Sequence, residues 1–398
     1  MVNSTERTDI FRNFECCYRM RIGILTLSFH TNYGGILQAY ALQTVLERMG
    51  HKVEVFDTPN KEMLPPLWRL PITLAKRLVL KSLGKIKSVF IERNRDMANS
   101  IIAQNIQPFV DSHIHRKVIS SFKKLHSEDY DAIVVGSDQV WRVIYFPLLW
   151  REQRIENAYL LFARKWNVRR IAYAASFGTD SWEYSPQQTE NCKRLIRKFD
   201  AVSVREDKGV GLCKKFFDVE AQQVLDPTML LSKDDYVALF TKAKIPESKG
   251  SLLSYVLDET TEIERLIKSV ADKKHLTPFA VNNPHEYDES LPLQERVKPG
   301  VETWLRGFYD ADYVITDSFH ACAFSILFKK QFIVVGNKER GMSRFESLLK
   351  QFGLESRLVT SDIDLNNLNE IDYSSVYERF DVLKDMSVNY LQESIGKC

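Results

Sequence analysis

The chain has 398 residues, 44% of them hydrophobic and 27% charged, with 55 Lys and Arg against 52 Asp and Glu. This is a globular composition on a chain too long for one hydrophobic core, so two domains are expected. A net charge of +3 is too slight to imply nucleic-acid binding, and any charged partner has to be met by a local cluster. The first twenty residues lack the apolar core of a signal peptide, and no apolar run approaches the ~20 residues that span a bilayer, so a cytoplasmic location is expected. The six cysteines (Cys16, Cys17, Cys192, Cys213, Cys322 and Cys398) show neither CxxC nor His-paired spacing. That pattern argues against a metal site and fits reduced thiols.

Residues 1–20 read as an extension. The run "RIGILTL" has the continuous apolar character of a strand buried in a parallel sheet. A helix follows from about Gly35 to Met49, stopped by Gly50, and "KVEVFD" is the next strand of a right-handed βαβ unit. Residues 61–105 differ: after three prolines, Ile72, Ala75, Val79, Leu83, Ile86 and Phe90 recur at helical spacing beside Lys76, Arg77, Lys81, Lys85 and Lys87. This reads as a basic helical insertion. Its charged face is either simply solvated, or lies on an anionic membrane surface or along the path of an anionic substrate.

The run "YDAIVVGSDQVW" is a buried strand delivering Gly136-Ser137-Asp138, and "RRIAYAASFG" is another that ends at Ser176. Ligands of open α/β sheets lie at the carboxyl ends of strands, so Asn32, Asp138 and Ser176 should converge on one rim. The aromatic segment between these strands reads as helix plus loop. Two further strands, in "FDAVSVRED" and "AQQVLDPTMLL", exit at Arg205-Glu206 and at Asp226-Pro227-Thr228. A polar, proline-containing stretch at 230–250 separates these elements from a second β/α series, which begins at "SLLSYVLD" and runs through "ADYVITDSFHACAFSIL" to "FIVVG". The expected architecture is α/β, with two Rossmann-like domains facing a cleft. The N-terminal domain spans 21–240 and the C-terminal domain 241–358, and a charged helical segment, 359–398, packs back across them.

In this order "TNYGGILQAYALQ", "GSDQVW", "AYAASFG", "VSVRE", "LDPT" and "ITDSFHACAFSILF", followed by "RFESLLKQFGL", resemble the polysaccharide pyruvyl transferase family over about Ile22 to Val359. The resemblance implies a GT-B-like pair of domains. It also implies transfer of the enolpyruvyl unit of phosphoenolpyruvate onto a sugar as a ketal, without metal or cofactor. The acceptor would be a sugar of a surface or exopolysaccharide or a lipid-linked oligosaccharide precursor. A lipid-linked acceptor would suit the basic helix around Lys76 to Lys87 and peripheral contact at the inner membrane face; no nucleic-acid partner is expected. The chain departs from the family pattern after the histidine, where Ala321-Cys322 replace Gly-Thr or similar and predict a slightly narrower phosphate pocket. It departs again at Arg142 and beyond, which leaves the acceptor side less defined.

Ketal formation needs a proton donor for the methylene carbon, cations for carboxylate and phosphate, and a base for the sugar hydroxyls. His320 stands at an expected helix start after Asp317-Ser318, where capping groups and free backbone N–H donors favour an anion. It is the expected catalytic residue and phosphate neighbour, with Ser318 beside it. Arg205 can hold a carboxylate or phosphate through its fork, or simply pair with Glu206 or Asp207. Among the basic residues after "FIVVG", where similar enzymes place a phosphoenolpyruvate-binding cation, Arg344 ranks ahead of Lys338 and Arg340. Asp138 is either the general base or a capping aspartate. Asn32, Tyr33, Gly34, Gln38 and Ser176 are the expected acceptor-sugar contacts, and Trp141 reads as core. The rival functions are a nucleotide-sugar glycosyltransferase of the same architecture, for which only Glu302 offers a ribose-binding acid, and an inactive sugar-binding component of a polysaccharide assembly complex.

Overall fold

The computed structural model describes residues 19–58, 68–85, 88–146, 154–336, 342–359 and 368–396. Seven strands form the first sheet: β1 (Arg21–Leu25), β2 (Lys52–Asp57), β3 (Arg116–Val118), β4 (Ala132–Val135), β5 (Arg169–Ala175), β6 (Ala201–Val204) and β7 (Gln222–Gln223). They pair in parallel in the order β3-β2-β1-β4-β5-β6-β7, with Ile22 opposite Val53 on one side and Ala132 on the other. Parallel strands covered on both faces need no polar alternation, and β4 is buried at all four positions. The second sheet comprises β8 (Leu252–Tyr255), β9 (Pro278–Phe279), β10 (Tyr313–Thr316), β11 (Gln331–Val335) and β12 (Leu358–Val359), ordered β12-β11-β10-β8-β9.

Both orders reverse direction once, between β1 and β4 in the first sheet and between β8 and β10 in the second. At such a switch point the connections leave on opposite faces and open a crevice at the carboxyl ends of the strands. The two crevices face each other. The loop after β1 and the Gly136-Ser137-Asp138 loop after β4 border one, and the turn after β10 that carries His320 borders the other. The architecture is therefore two Rossmann-like, GT-B-like units.

The domains share apolar packing as well as a crevice. Tyr33 stacks on Trp304 with ring centroids 5.7 Å apart, and Tyr236 meets Phe324 edge-on at 4.9 Å. The last helix, Tyr373–Ile395, crosses between them. Its Tyr377 hydroxyl donates to the Leu327 carbonyl of the second domain, while Ser387 accepts from Leu225 N–H and the Ser394 carbonyl accepts from Arg169 in the first.

Local structure departs from expectation in four places. The helix after β1 begins at Tyr33 with Asn32 as its cap, so Tyr33, Gly34 and Gly35 are its first turn and not a loop. The "AQQVLDPT" strand is only two residues long, because Asp226 caps a short 3-10 turn at Pro227–Met229. In the aromatic segment, Val143–Tyr145 and Ile155–Tyr159 are 3-10 turns. The basic insertion is two helices, Leu70–Ser82 and Ile91–Ile102, because Gly84 takes a left-handed φ of +69° that ends the first.

Candidate active site

The site is organised around a carboxylate to which sequence reasoning gave no role. Asp226 leaves β7 fully buried. Its Oδ1 accepts from Thr228 N–H at 3.0 Å and Thr228 Oγ1 at 2.8 Å, which fixes the carboxylate plane. Its Oδ2 then faces three groups from three elements. Arg205 at the end of β6 donates through Nη1 at 2.8 Å, Ser137 Oγ lies at 3.3 Å, and His320 Nε2 lies at 3.7 Å. His320 thus meets Arg205 through a shared anion. Burial alone would raise the Asp226 carboxyl, but His320 and Arg205 outweigh it and hold the group well below the usual carboxylate range.

Arg205 is 4% exposed and sits over the Phe319 ring, with its guanidinium carbon 4.2 Å from the centroid. A stacked guanidinium keeps its edges free for in-plane hydrogen bonds. One edge meets Asp226. Among the described residues Nε and Nη2 have no hydrogen-bond partner, and neither has His320 Nε2. Unpaired donors at this depth are costly, and an anion lodged beside them would relieve that cost. Arg344, on the helix Ser343–Phe352, reaches the same neighbourhood. That helix is tied to the first domain, since Ser347 Oγ accepts from Asp207 N–H at 3.0 Å and Gln223 Nε2 at 2.8 Å. Burial and the nearby Arg205 lower the Arg344 guanidinium to about 10, against the opposing pull of Glu206 and Asp138.

Opposite these cations lies the start of helix Tyr33–Arg48. Asn32 Oδ1 accepts from Gly35 N–H at 3.2 Å. A side chain at Gly35 would stand 3.3 Å from both Asn32 Nδ2 and Asp138 Oδ2, so these two groups flank the helix end together. Asp138 is 4% exposed and adopts a left-handed φ of +58°, a conformation that Asp tolerates better than most residues. A Cβ on Gly34 would fall 2.0 Å from His320 Nδ1. The imidazole therefore lies directly on the Gly34 backbone, and only glycine leaves it room.

A model of the family described as polysaccharide pyruvyl transferase matches residues 32–339. This chain belongs to that family. Among solved structures it is similar to UDP-GlcNAc 2-epimerase from Neisseria meningitidis bound to UDP-GlcNAc, with 14% identity, 94% of each chain covered and a TM-score of 0.43. It is also similar to UDP-GlcNAc 2-epimerase from Methanocaldococcus jannaschii, with 11% identity over 92% of this chain and 93% of that one, at a TM-score of 0.44. A third is a glycosyltransferase from Rickettsia africae ESF-5, with 12% identity over 95% and 96% and a TM-score of 0.39. No curated protein matches the chain.

In this pyruvyl transferase family member the expected residues divide into those at the crevice and those behind it. His320, Arg205, Arg344, Asp138, Asn32 and Gly34 come together as described. Tyr33 does not face the crevice: it is fully buried in the interdomain core, and its hydroxyl donates to the Pro299 carbonyl at 2.8 Å. Gln38 is a support, with Nε2 donating to Thr26 Oγ1 and the Gly35 carbonyl while Oε1 holds Ser137 N–H at 2.9 Å. Ser176 is another, donating to Glu206 Oε1 at 2.9 Å. Trp141 is core, stacked on Tyr159.

Ser318 is the N-cap of the helix Phe319–Leu327, but its side chain makes no cap hydrogen bond. The expected second cap, Asp317, is engaged by Leu257 and Asp258 N–H groups at 2.8 and 2.9 Å. Ala321 and Cys322 turn into the apolar core, so their side chains do not narrow the space beside His320. Glu302 lies in the first turn of helix Val301–Asp310, where burial raises its carboxyl. Lys338 and Arg340 lie outside the described residues. The contributors missed from sequence are Asp226, Ser137, Phe319 and Glu206. Ser137, Glu206 and Asp226 each stood at an expected strand exit, whereas nothing in the sequence marked Phe319.

Proposed function

We propose that this chain transfers the pyruvyl unit of phosphoenolpyruvate onto two hydroxyls of a sugar, forming a pyruvate ketal and releasing phosphate. The acceptor is a surface or exopolysaccharide sugar or its lipid-linked precursor, and the reaction runs in the cytoplasm without metal or cofactor. The observation that carries this reading is the buried Arg205 with two unengaged N–H donors beside His320 Nε2, both organised by Asp226. A carboxylate and a phosphate on one small molecule match such a pair of donors, with Arg344 supplying the second cation.

In the proposed reaction His320 gives a proton to the methylene carbon, which becomes the methyl group and leaves C2 electrophilic. One sugar hydroxyl oxygen bonds to C2 as the C–O bond to phosphate breaks, and the second hydroxyl oxygen closes the ketal. Two hydroxyl protons are released; one restores His320, and the other leaves on phosphate by way of Asp138. Asp226 Oδ2, 3.7 Å from Nε2, fixes the direction of the imidazole.

The test is phosphate release and ketal formation on incubation with phosphoenolpyruvate and candidate acceptors. His320→Ala should lower the rate by ~10²- to 10⁴-fold, the usual contribution of a positioned acid–base group. Release unaffected by that substitution would overturn the assignment. A thermal-shift titration provides a second arm, because a ligand of the native state raises the midpoint. Stabilisation by nucleotide sugars and not by phosphoenolpyruvate would favour a glycosyltransferase.

A further inference from the structure

The apolar stripe of the basic insertion faces outward. Ile72, Ala75, Val79 and Leu83 recur at helical spacing, and a stripe of that kind ordinarily turns to the core. Here Ile72 is 72% exposed, Val79 59% and Leu83 62%, and Trp68, one turn earlier, is 69% exposed. Helix Leu70–Ser82 buries none of its residues fully. Its opposite face is the anchored one: Arg77 is clamped by Glu92 through two hydrogen bonds of 2.7 and 2.6 Å and also donates to the Val89 carbonyl.

Charge follows the same geometry. Between Trp68 and Arg95 the sequence holds eight Lys and Arg and one acid, Glu92, which Arg77 engages. With the whole chain at +3 and this segment at +7, the remainder carries −4. Lys76, Lys81 and Lys85 are exposed on the same helix and the turn after it.

We propose that the outward face formed by Trp68, Ile72, Val79 and Leu83, with Lys76 at its edge, is a docking surface for an anionic phospholipid bilayer. The helix would lie in the plane of the interface. Its apolar residues would enter the boundary between headgroups and acyl chains, the Trp68 indole would sit at headgroup level, and the Lys76 ammonium group would extend to lipid phosphates. A second copy of the chain offering the same face is disfavoured, because a two-fold contact would set two strongly cationic segments against each other. The inference concerns binding and does not depend on the reaction proposed above.

The experiment is cosedimentation of the full chain with vesicles of phosphatidylcholine alone or mixed with phosphatidylglycerol, with Trp emission recorded in parallel. Binding should require the anionic lipid, weaken with added salt and shift the emission to the blue, and Trp68→Phe should remove that shift. Ile72→Asp combined with Val79→Asp should abolish binding while leaving the unfolding midpoint unchanged, since both side chains are exposed. Lys76→Ala should weaken partition by roughly fivefold, the usual effect of one cation near an anionic surface. Failure to bind, binding indifferent to the Ile72 and Val79 changes, or a dimer in sedimentation velocity that those changes dissociate would each overturn the proposal.

Discussion

Gly34→Ala tests the site at the contact where structure and chemistry are most tightly joined. The added methyl would stand 2.0 Å from His320 Nδ1 and 2.3 Å from Cγ, whereas ordinary contact begins at 3.4 Å, so the ring or the helix end must move by about 1.4 Å. His320 is itself 7% exposed and lies 3.7 Å from Asp226, so the movement carries the imidazole away from the position that Asp226 sets. Misplacing a reacting group by about 1 Å can cost ~100-fold in rate. Stability should fall as well, because overpacking a buried contact costs about 1–3 kcal/mol, more than the roughly 0.5–1 kcal/mol that alanine gains over glycine in a helix. Initial rates of phosphate release from phosphoenolpyruvate with an acceptor, measured beside calorimetric unfolding, should show a fall near 100-fold together with a lowered midpoint. A rate within threefold of wild type at an unchanged midpoint would refute the claim that Gly34 is small in order to seat His320.

Asp226→Asn leaves a buried guanidinium without its ionic partner and should cost about 3–5 kcal/mol in denaturant unfolding at neutral pH. The Asp226 carboxyl is held below its ordinary value in the folded chain, so its stabilisation is complete above that value and declines as pH falls below it; the gap between wild type and variant should narrow towards about pH 3. A gap independent of pH would count against an ionic role for Asp226. The second buried pair, Lys298 Nζ to Glu286 Oε2 at 2.8 Å, should be similarly costly to break. Glu286→Ala strands Lys298 and should cost about 3–5 kcal/mol, whereas Glu286→Leu with Lys298→Met should recover much of the loss if desolvation is the cause.

The sheet elements were legible because parallel strands carry their signal in composition: "RIGIL", "AIVV" and "FIVV" are apolar without alternation. That reading put Asn32, Asp138 and Ser176 on one rim; Asn32 and Asp138 flank the helix end there, whereas Ser176 is turned away to Glu206. What could not be read was the direction of a side chain. Tyr33 and Asn32 are adjacent, yet one is sealed against Trp304 and the other caps the crevice side, a difference set by the packing of the second domain. The insertion gives the same lesson in reverse. Periodicity correctly grouped Ile72, Val79 and Leu83 on one face, but it does not tell core from solvent, and the face turned outward.

Asp226 was the hardest residue to find because its role is collective, and that role also separates the three carboxylates at the site. Asp226 has Oδ1 engaged by Thr228 and Oδ2 by Arg205 and Ser137, so it orients and neutralises but has no lone pair directed at a substrate. Glu206 is fixed by Ser176 Oγ and Phe177 N–H through Oε1, and burial pushes its carboxyl above the ordinary value against the pull of Arg205. Asp138 is different. Its Oδ2 lies beside Asn32 at the helix end, across the crevice from His320 and Arg205, and no hydrogen bond to its carboxylate is made among the described residues. Glu206 Oε2 is also without a hydrogen-bond partner, but Glu206 is anchored behind the strand end through Ser176 and Phe177, whereas Asp138 stands at the helix end with Asn32. That supports its proposed role in receiving a proton from the sugar hydroxyl, while Asp226 holds the Arg205 guanidinium in place.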